Sequence, residues 1–389
     1  MSAGYPSATL VAGSLRAVVY LPGGAEAYYR ASRFDHATMV GDITFEGVKL
    51  FGSNFWRAPH DPEWTENGVG LASEWGCGVD GHVCGPGWDA TSSIGSSNGV
   101  LGYAAAKVGE PFLKIGVGLL IKGSCLACGP AGSGDTYKFN SPYRFYQPAR
   151  WSVHTDASYV TMAHSASLGA YAYLLNRTVR VATDATLRVE TTLHNTGSAA
   201  FRTPYYSHNL LNINGASPTG PGVRLALDVD LSSFSDSPPW AEPIEGYFEL
   251  ATDPQTALPP LREALWATRA VVAPTKIKAV YHGSAARSNG TYQVAFDREG
   301  LAMRSDLTGP APLYAYNLYV EERTMSPEPI QMVALEPGET TTLTHTLHFQ
   351  RYEAAGRPTA LLRSRSAAQA SCRWRAAQMH RGFVEMHAC

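Results

Sequence analysis

Alternating apolar and polar residues run through much of the chain, and this alternation predicts β-strands. In the segment ATLRVETTLHNTG (185–197), Leu187 and Val189 alternate with charged side chains, a period of two residues that is typical of a half-buried strand. The preceding segment YAYLLNRTVRVAT (171–183) alternates in the same way. The two segments therefore predict a hairpin that turns near Asp184.

Other segments repeat this pattern, and helical patterns are rare before residue 350. The segment EPGETTTLTHTLHF (336–349) has a Pro-Gly turn followed by a strand, and GDITFEGVKLFG (41–52) predicts a hairpin that turns near Glu46-Gly47. One short helix is predicted at LREALWATRA (261–270). The sequence thus predicts an all-β fold in which two large antiparallel sheets pack face to face.

Composition divides the chain into a body and a tail. The 389 residues carry a net charge of −2, but residues 351–389 hold seven Arg and only two Glu. We expect one β-sandwich domain over residues 1–350 and a basic, helical or disordered tail over residues 351–389. The small net charge argues against a nucleic-acid partner, and the lack of an 18-residue apolar stretch argues against a membrane partner.

Two features of the sequence bear on the cellular compartment. The segment MSAGYPSATLVAGSLRAVVYL lacks the charged region and compact apolar core of a secretory signal, so we expect a cytoplasmic protein, with a plastid or another organelle as the alternative. Four cysteines lie in Gly-rich loops with the spacings C-x6-C and C-x2-C: Cys77, Cys84, Cys125 and Cys128. A zinc site, disulfides and free thiols are all compatible with these spacings.

A histidine interrupts an aromatic and aliphatic strand at TPYYSHNLL (203–211). Because successive side chains of a strand point to opposite faces, His208 shares a face with Tyr206, and Asn209 points the other way. One interpretation is a buried histidine that is hydrogen-bonded to its neighbours. The other is a general acid, since histidine exchanges protons readily near neutral pH.

A glutamate lies between two prolines in the segment RTMSPEPIQMV (323–333). Pro327 and Pro329 favour an extended backbone on both sides of Glu328, and a strand is predicted from Ile330. This placement predicts a rigid carboxylate at the start of a strand, where functional sites are commonly built. The alternative is a solvated loop glutamate.

Several segments together carry a family resemblance. They are Y-x-x-x-R-F-D at residues 29–35, the acidic-aromatic pair at residues 74–75, P-F-x-K-I-G-V-G at residues 111–118, the S-H-N strand with its following turn at residues 207–221, and P-E-P at residues 327–329. These segments resemble the aldose 1-epimerase (galactose mutarotase) superfamily, and bacterial mutarotase-like proteins in particular.

The resemblance implies a β-supersandwich with a cleft across one concave sheet. It also implies that His208 is the general acid and Glu328 the general base of a sugar isomerase. At the corresponding level the chain reads GVGLASEWGCGVDGHVCGPGWD (68–89), without the Asn-Arg pair and the Leu-His-Gly motif of galactose mutarotases, which argues against galactose as the substrate and against plain mutarotation. The candidate substrate-binding residues are Arg33, Glu74, Lys114, Tyr206, Asn209 and Arg323.

Two of these candidates have structural alternatives. A strand lysine such as Lys114 usually reaches solvent, whereas in a cleft it would bind a sugar carboxylate or phosphate, or act as a base. Arg33 forms either a structural ion pair with Asp35 or a ligand contact.

The chemistry of anomer exchange needs few groups. A base takes the proton of O1 and an acid protonates the ring oxygen, so a carboxylate and an imidazole suffice, and we expect no metal, nucleotide or redox cofactor. The sequence therefore predicts an aldose 1-epimerase-type isomerase of a sugar or sugar derivative. The alternatives are a lyase or isomerase of another cyclic or carbonyl metabolite, and a non-catalytic carbohydrate-binding protein. Because acid and base act on different oxygens, we expect a gap of about 5–8 Å between His208 and Glu328.

Overall fold

Strands dominate the part of the chain that the structure describes. The computed structural model describes residues 4–52, 59–76, 96–97, 99–124, 137, 139, 141–215, 223–227, 234–236, 249–251, 279–281, 289–296, 298–311, 313–321 and 324–351. These residues form 24 strands, numbered below in chain order, and one short 3₁₀-helix, His36–Thr38. The all-β prediction is confirmed.

The largest sheet has nine strands, and its neighbour has six. In spatial order the nine-stranded sheet contains β11 (Ser152–Thr155), β12 (Tyr159–Leu168), β13 (Tyr171–Ala182), β14 (Thr186–Asn195), β24 (Thr340–Arg351), β21 (Leu301–Thr308), β20 (Asn289–Phe296), β16 (Val223–Leu227) and β18 (Glu249–Ala251). The six-stranded sheet contains β17 (Phe234–Asp236), β19 (Ala279–Tyr281), β22 (Leu313–Glu321), β23 (Thr324–Leu335), β15 (Phe201–Asn209) and β5 (Leu71–Trp75).

Two smaller sheets, which the sequence did not predict, complete the fold. One contains β1 (Ser7–Ala12), β2 (Leu15–Tyr20), β3 (Val40–Phe45) and β4 (Val48–Lys49). The other contains β10 (Phe145–Pro148), β9 (Gly118–Ile121), β8 (Pro111–Lys114), β7 (Val100–Leu101) and β6 (Ser96–Ser97).

The two large sheets bury their apolar faces against each other. Leu175 and Leu343 of the nine-stranded sheet belong to one buried cluster with Tyr205 and Val333 of the six-stranded sheet. In β15 and β23 these inward residues have odd numbers, so the even-numbered side chains lie on the opposite face of the six-stranded sheet. That opposite face carries His208.

Both predicted hairpins are confirmed. Strands β13 and β14 pair antiparallel with Val179 opposite Val189, and β3 pairs with β4. The second hairpin turns at Glu46 and Gly47, whose φ angles are 51° and 80°. Two consecutive positive φ values match the twist of the flanking strands, which explains the tight turn.

One strand pair is an exception to the antiparallel arrangement, and three predictions concern residues that the structure does not describe. The pairing of β16 with β18 is parallel, whereas every other described strand pair is antiparallel. The predicted helix (261–270), the four loop cysteines and the tail after Arg351 lie outside the described residues. Within the described residues, the structure contains no helix with the length and apolar character that a membrane crossing requires.

Asp35 joins the start of the 3₁₀-helix to both large sheets. Its Oδ1 accepts a hydrogen bond from the backbone N–H of Ala37 at 3.0 Å, and its Oδ2 accepts one from Trp75 Nε1 at 3.0 Å. Arg177 Nη1 lies 2.8 Å from the same Oδ2, and both side chains are fully buried. Arg177 also donates from Nε to Thr191 Oγ1 at 3.0 Å. A buried charged pair needs such further contacts, because neither charge is solvated by water.

Gly116, just after β8, makes room for this carboxylate. Its φ angle is +74°, and a Cβ atom there would lie 2.2 Å from Asp35 Cγ. Both the backbone conformation and the close approach therefore require glycine.

We predict that Arg177→Met lowers the free energy of unfolding by about 3–5 kcal/mol, because it leaves the buried Asp35 charge without its cation. Urea unfolding followed by circular dichroism measures this change. Arg180→Met is the matched control, since Arg180 is exposed on the same strand and its replacement should change stability by less than about 0.5 kcal/mol. Equal effects of the two substitutions would contradict the buried ion pair.

Candidate active site

His208 and Glu328 are in direct contact on one face of the six-stranded sheet. His208 Nδ1 lies 2.8 Å from Glu328 Oε1, and the two residues are only 4% and 2% exposed. Strands β15 and β23 are neighbours, with Tyr206 opposite Ile330. If this antiparallel register is extended by two residues, His208 lies opposite Glu328. The strand pairing thus explains how two residues 120 positions apart in the sequence come into contact.

Ser326 is the third member of this group. Its hydroxyl donates to Glu328 Oε1 at 2.8 Å, and its Oγ lies 2.9 Å from His208 Nδ1. Ser326 is two residues before Glu328 in β23, so both side chains point to the same face. Two hydrogen bonds through Ser326 and the direct 2.8 Å contact between His208 and Glu328 link the three side chains in a triangle.

The expected gap of about 5–8 Å between His208 and Glu328 is wrong. The two side chains touch because they are cross-strand neighbours on adjacent strands. Glu328 also lies inside β23, and not before a strand that starts at Ile330. The flanking prolines are compatible with the strand because their fixed φ angle is close to extended geometry.

The backbone between β15 and β23 is unusual beside Glu328. Leu211 and Met325 exchange backbone hydrogen bonds at 3.2 Å in both directions. Backbone groups of a strand alternate between its two neighbours, so Pro327 and Pro329 face β15 as Met325 does. Neither proline has an N–H group to donate. The backbone ladder between the two strands is therefore interrupted on both sides of Glu328.

Asn209 bridges part of this interruption. Its side-chain Nδ2 donates to the backbone carbonyl of Pro327 at 2.8 Å. The backbone carbonyl of Asn209 accepts a hydrogen bond from the N–H of Leu211, also at 2.8 Å. Asn209 Oδ1 is buried and has no hydrogen-bond partner among the residues that the structure describes. Asn209 therefore ties the two strands together beside the His208–Glu328 pair.

Glu74, in β5 opposite Tyr206, is the centre of a second buried group. Glu74 Oε1 lies 2.8 Å from Lys114 Nζ, and Oε2 lies 3.0 Å from Arg33 Nε. The Tyr206 hydroxyl donates to Oε2 at 2.6 Å. Lys114 also donates to the Tyr137 hydroxyl at 2.6 Å. Lys114 and Glu74 are both fully buried, so Lys114 does not reach solvent.

Burial and charge act against each other in this group. Burial alone would raise the pKa of Glu74, but the cations of Lys114 and Arg33 outweigh it and hold the pKa below its ordinary value. Burial lowers the pKa of Lys114, and the attraction of Glu74 offsets only part of that effect. Burial and the Glu74 charge raise the pKa of Tyr206 well above its ordinary value, so Tyr206 remains a hydrogen-bond donor.

Arg33 connects the second group to the first. It pairs with Glu66 as well as Glu74, and its guanidinium lies over the ring of Phe34 at 4.4 Å. Phe34 in turn contacts the His208 ring edge-on, with centroids 6.0 Å apart. Of the two interpretations of Arg33, the ion pair with Asp35 is wrong, because Asp35 pairs with Arg177 on the inner side of the sheet.

Three residues of the site were missed by sequence reasoning: Ser326, Glu66 and Tyr137. Strand alternation could have identified Ser326, since it shares a face with Glu328. Glu66 and Tyr137 carry no sequence signal, because their contacts depend on loop placement. Arg323 lies outside the described residues. Within the described ranges, no three His, Cys, Asp or Glu side chains are grouped so that they could hold a metal ion.

Comparisons with known proteins concern the fold. No protein-family profile matches the chain, and no curated protein shows significant sequence similarity to it. Many of its structural neighbours are aldose 1-epimerase or galactose mutarotase-like proteins, the superfamily that the sequence motifs resemble.

Three of these neighbours show how low the sequence identity and the TM-scores are. A galactose mutarotase-like protein from Clostridium acetobutylicum is 10% identical with a TM-score of 0.49, covering 88% of this chain and 94% of that one. A GalM/aldose epimerase homologue from C. elegans is 11% identical with a TM-score of 0.41, covering 90% and 100%. A galactose 1-epimerase from Lactobacillus acidophilus is 12% identical with a TM-score of 0.40, covering 89% and 95%.

Proposed function

We propose that the protein is an isomerase of the aldose 1-epimerase type, with His208 as general acid and Glu328 as general base. The observation that carries this proposal is that the two side chains lie together on one face of the six-stranded sheet, 2.8 Å apart. They need not flank a sugar ring, because O1 and the ring oxygen are both bonded to C1 and are therefore neighbours. An imidazole and a carboxylate held together are the two groups that anomer exchange requires. A carbohydrate-binding protein would need neither group in this arrangement.

The proposed reaction moves two protons in opposite directions. Glu328 takes the proton of the sugar O1 while His208 gives a proton to the ring oxygen, and the bond between C1 and the ring oxygen breaks. Rotation about the C1–C2 bond turns the other face of the aldehyde toward the ring hydroxyl. Ring closure reverses both transfers, so each side chain returns to its starting state.

The charges around the site favour an uncharged sugar. Arg33 is paired with Glu66 and Glu74, and Lys114 is paired with Glu74. A sugar carboxylate or phosphate would have to displace a buried protein carboxylate from one of these cations, which is costly. Among the described residues, the two cations beside the site are thus committed to protein partners.

The other candidate residues have supporting roles in this proposal. Arg33 and Tyr206 lie beside the acid–base pair. Glu74 bonds to both of them and is itself paired with Lys114. Asn209 fixes the strand that carries Glu328. Arg323, two residues after β22, is proposed to contact the substrate.

The test is a panel of free sugars, sugar phosphates and uronic acids, observed by NMR. We expect faster exchange between the anomers of an uncharged sugar, without deuterium incorporation at carbon. Deuterium at carbon would instead support a lyase or an isomerase that breaks a C–H bond. Binding without either reaction would identify a carbohydrate-binding protein.

We predict that His208→Ala and Glu328→Gln each lower kcat on the active sugar by about 10²-fold or more, because each removes one proton-transfer group. Saturation-transfer NMR measures the exchange rate. His194→Ala and Glu190→Gln, on the nine-stranded sheet, are the matched controls and should keep full activity. Full activity of both site variants, with folding confirmed by circular dichroism, would exclude this mechanism.

We also predict that Lys114 and Glu74 stabilise the protein as a pair. Lys114→Met should lower the free energy of unfolding by about 3–5 kcal/mol, because it leaves a buried charge under-compensated. The double variant with Glu74→Gln should lose at least about 1 kcal/mol less than the sum of the single variants. The exposed pair Arg188–Glu190 is the control cycle, with a coupling below about 1 kcal/mol. Additive effects at Lys114 and Glu74 would argue against their pairing.

A further inference from the structure

The triangle of Ser326, His208 and Glu328 determines where its protons lie. Glu328 Oε1 is 2.8 Å from both Ser326 Oγ and His208 Nδ1, and the latter two atoms are 2.9 Å apart. An ionised carboxylate, the form that a general base requires, accepts hydrogen bonds and donates none. The single hydroxyl proton of Ser326 therefore points to Glu328.

This assignment fixes the state of the histidine. With its proton directed to Glu328, Ser326 Oγ presents lone pairs to His208 Nδ1. Two oxygen acceptors then face Nδ1, so Nδ1 carries a proton in the neutral ring as well as in the cation. The nitrogen that gains and loses a proton is Nε2.

We propose that Ser326 is a positioning residue that keeps a proton on His208 Nδ1, so that Nε2 is the nitrogen that exchanges a proton with the sugar. This inference rests on the proposed function. It adds a residue and a proton position to that mechanism.

Ser326 matters most at the intermediate stage of the reaction. After ring opening, Glu328 holds the proton of O1 and has lost its charge, so it attracts the Nδ1 proton less strongly. Ser326 Oγ still accepts from Nδ1. The ring therefore keeps its basic lone pair on Nε2, ready to take the proton back from the sugar hydroxyl when the ring closes.

The ring nitrogens can be observed directly by ¹⁵N NMR of histidine-labelled protein, with the His208 signals assigned by their loss in His208→Gln. In the wild-type protein we expect Nδ1 to show the chemical shift of a protonated nitrogen throughout the pH titration, while Nε2 changes. While Glu328 is ionised its carboxylate also holds the Nδ1 proton, so the contribution of Ser326 is measured in the Glu328→Gln background. There we expect Nδ1 to stay protonated with Ser326 present and a mixture of the two tautomers with Ser326→Ala. Ser326→Thr in the same background keeps a hydroxyl and should restore the protonated Nδ1.

Kinetics supply a second readout. We expect Ser326→Ala to lower kcat by about 10-fold with KM changed by less than about 3-fold, since one hydrogen bond to the acid is lost and none to the sugar. Ser326→Thr should recover most of this loss. Ser207→Ala is the matched control: Ser207 is a buried serine of β15 that faces the opposite side and bonds to the Leu71 carbonyl.

A wild-type spectrum with the neutral proton on Nε2 would overturn the proposal, as would a Glu328→Gln/Ser326→Ala spectrum in which Nδ1 stays fully protonated. If Ser326→Ala does not fold, Ser326→Cys replaces it, because a thiol keeps the volume but is a weak acceptor. The spectra need no substrate, so they test Ser326 even if no sugar in the panel reacts. Failure of the proposed function and failure of this inference are therefore separate results.

Discussion

The antiparallel register between β15 and β23 determines which side chains can form a site. With Tyr206 opposite Ile330, His208 and Glu328 share the outer face, and Tyr205 packs into the core between the large sheets. A shift of one residue would exchange the two faces of β23. The Glu328 carboxylate would then enter an apolar core, which is far more costly than the present arrangement. Burial of the sandwich core thus enforces the geometry of the polar face.

The electrostatics of the polar face follow from where its charges are buried. Glu74 can remain ionised without solvent because two cations and a phenol surround it. The same partners fix the position of Glu74. Arg33 and Tyr206, which lie beside His208, are therefore held by short charged contacts as well as by packing. This rigidity suits the proposed reaction, in which two protons must be placed on neighbouring oxygens.

Local patterns in the sequence predicted the strands well, because alternation and turn residues act over a few positions. The hairpin of β13 and β14 and the alternation of β24 follow directly from such patterns. The contact between His208 and Glu328 was misjudged, since strand pairing across 120 residues leaves no local trace. The burial of Lys114 was missed for the same reason: its partner Glu74 is 40 positions away in another sheet.

The close approach of Gly116 to Asp35 connects two of the sequence segments that carry the family resemblance. Asp35 ends the R-F-D segment, and Gly116 belongs to the K-I-G-V-G segment. Any side chain at position 116 would occupy the space of the Asp35 carboxyl group. Substitution at either position therefore changes what the other can tolerate, and chains that share this junction should vary at the two positions together. The two segments are therefore joined through this single contact.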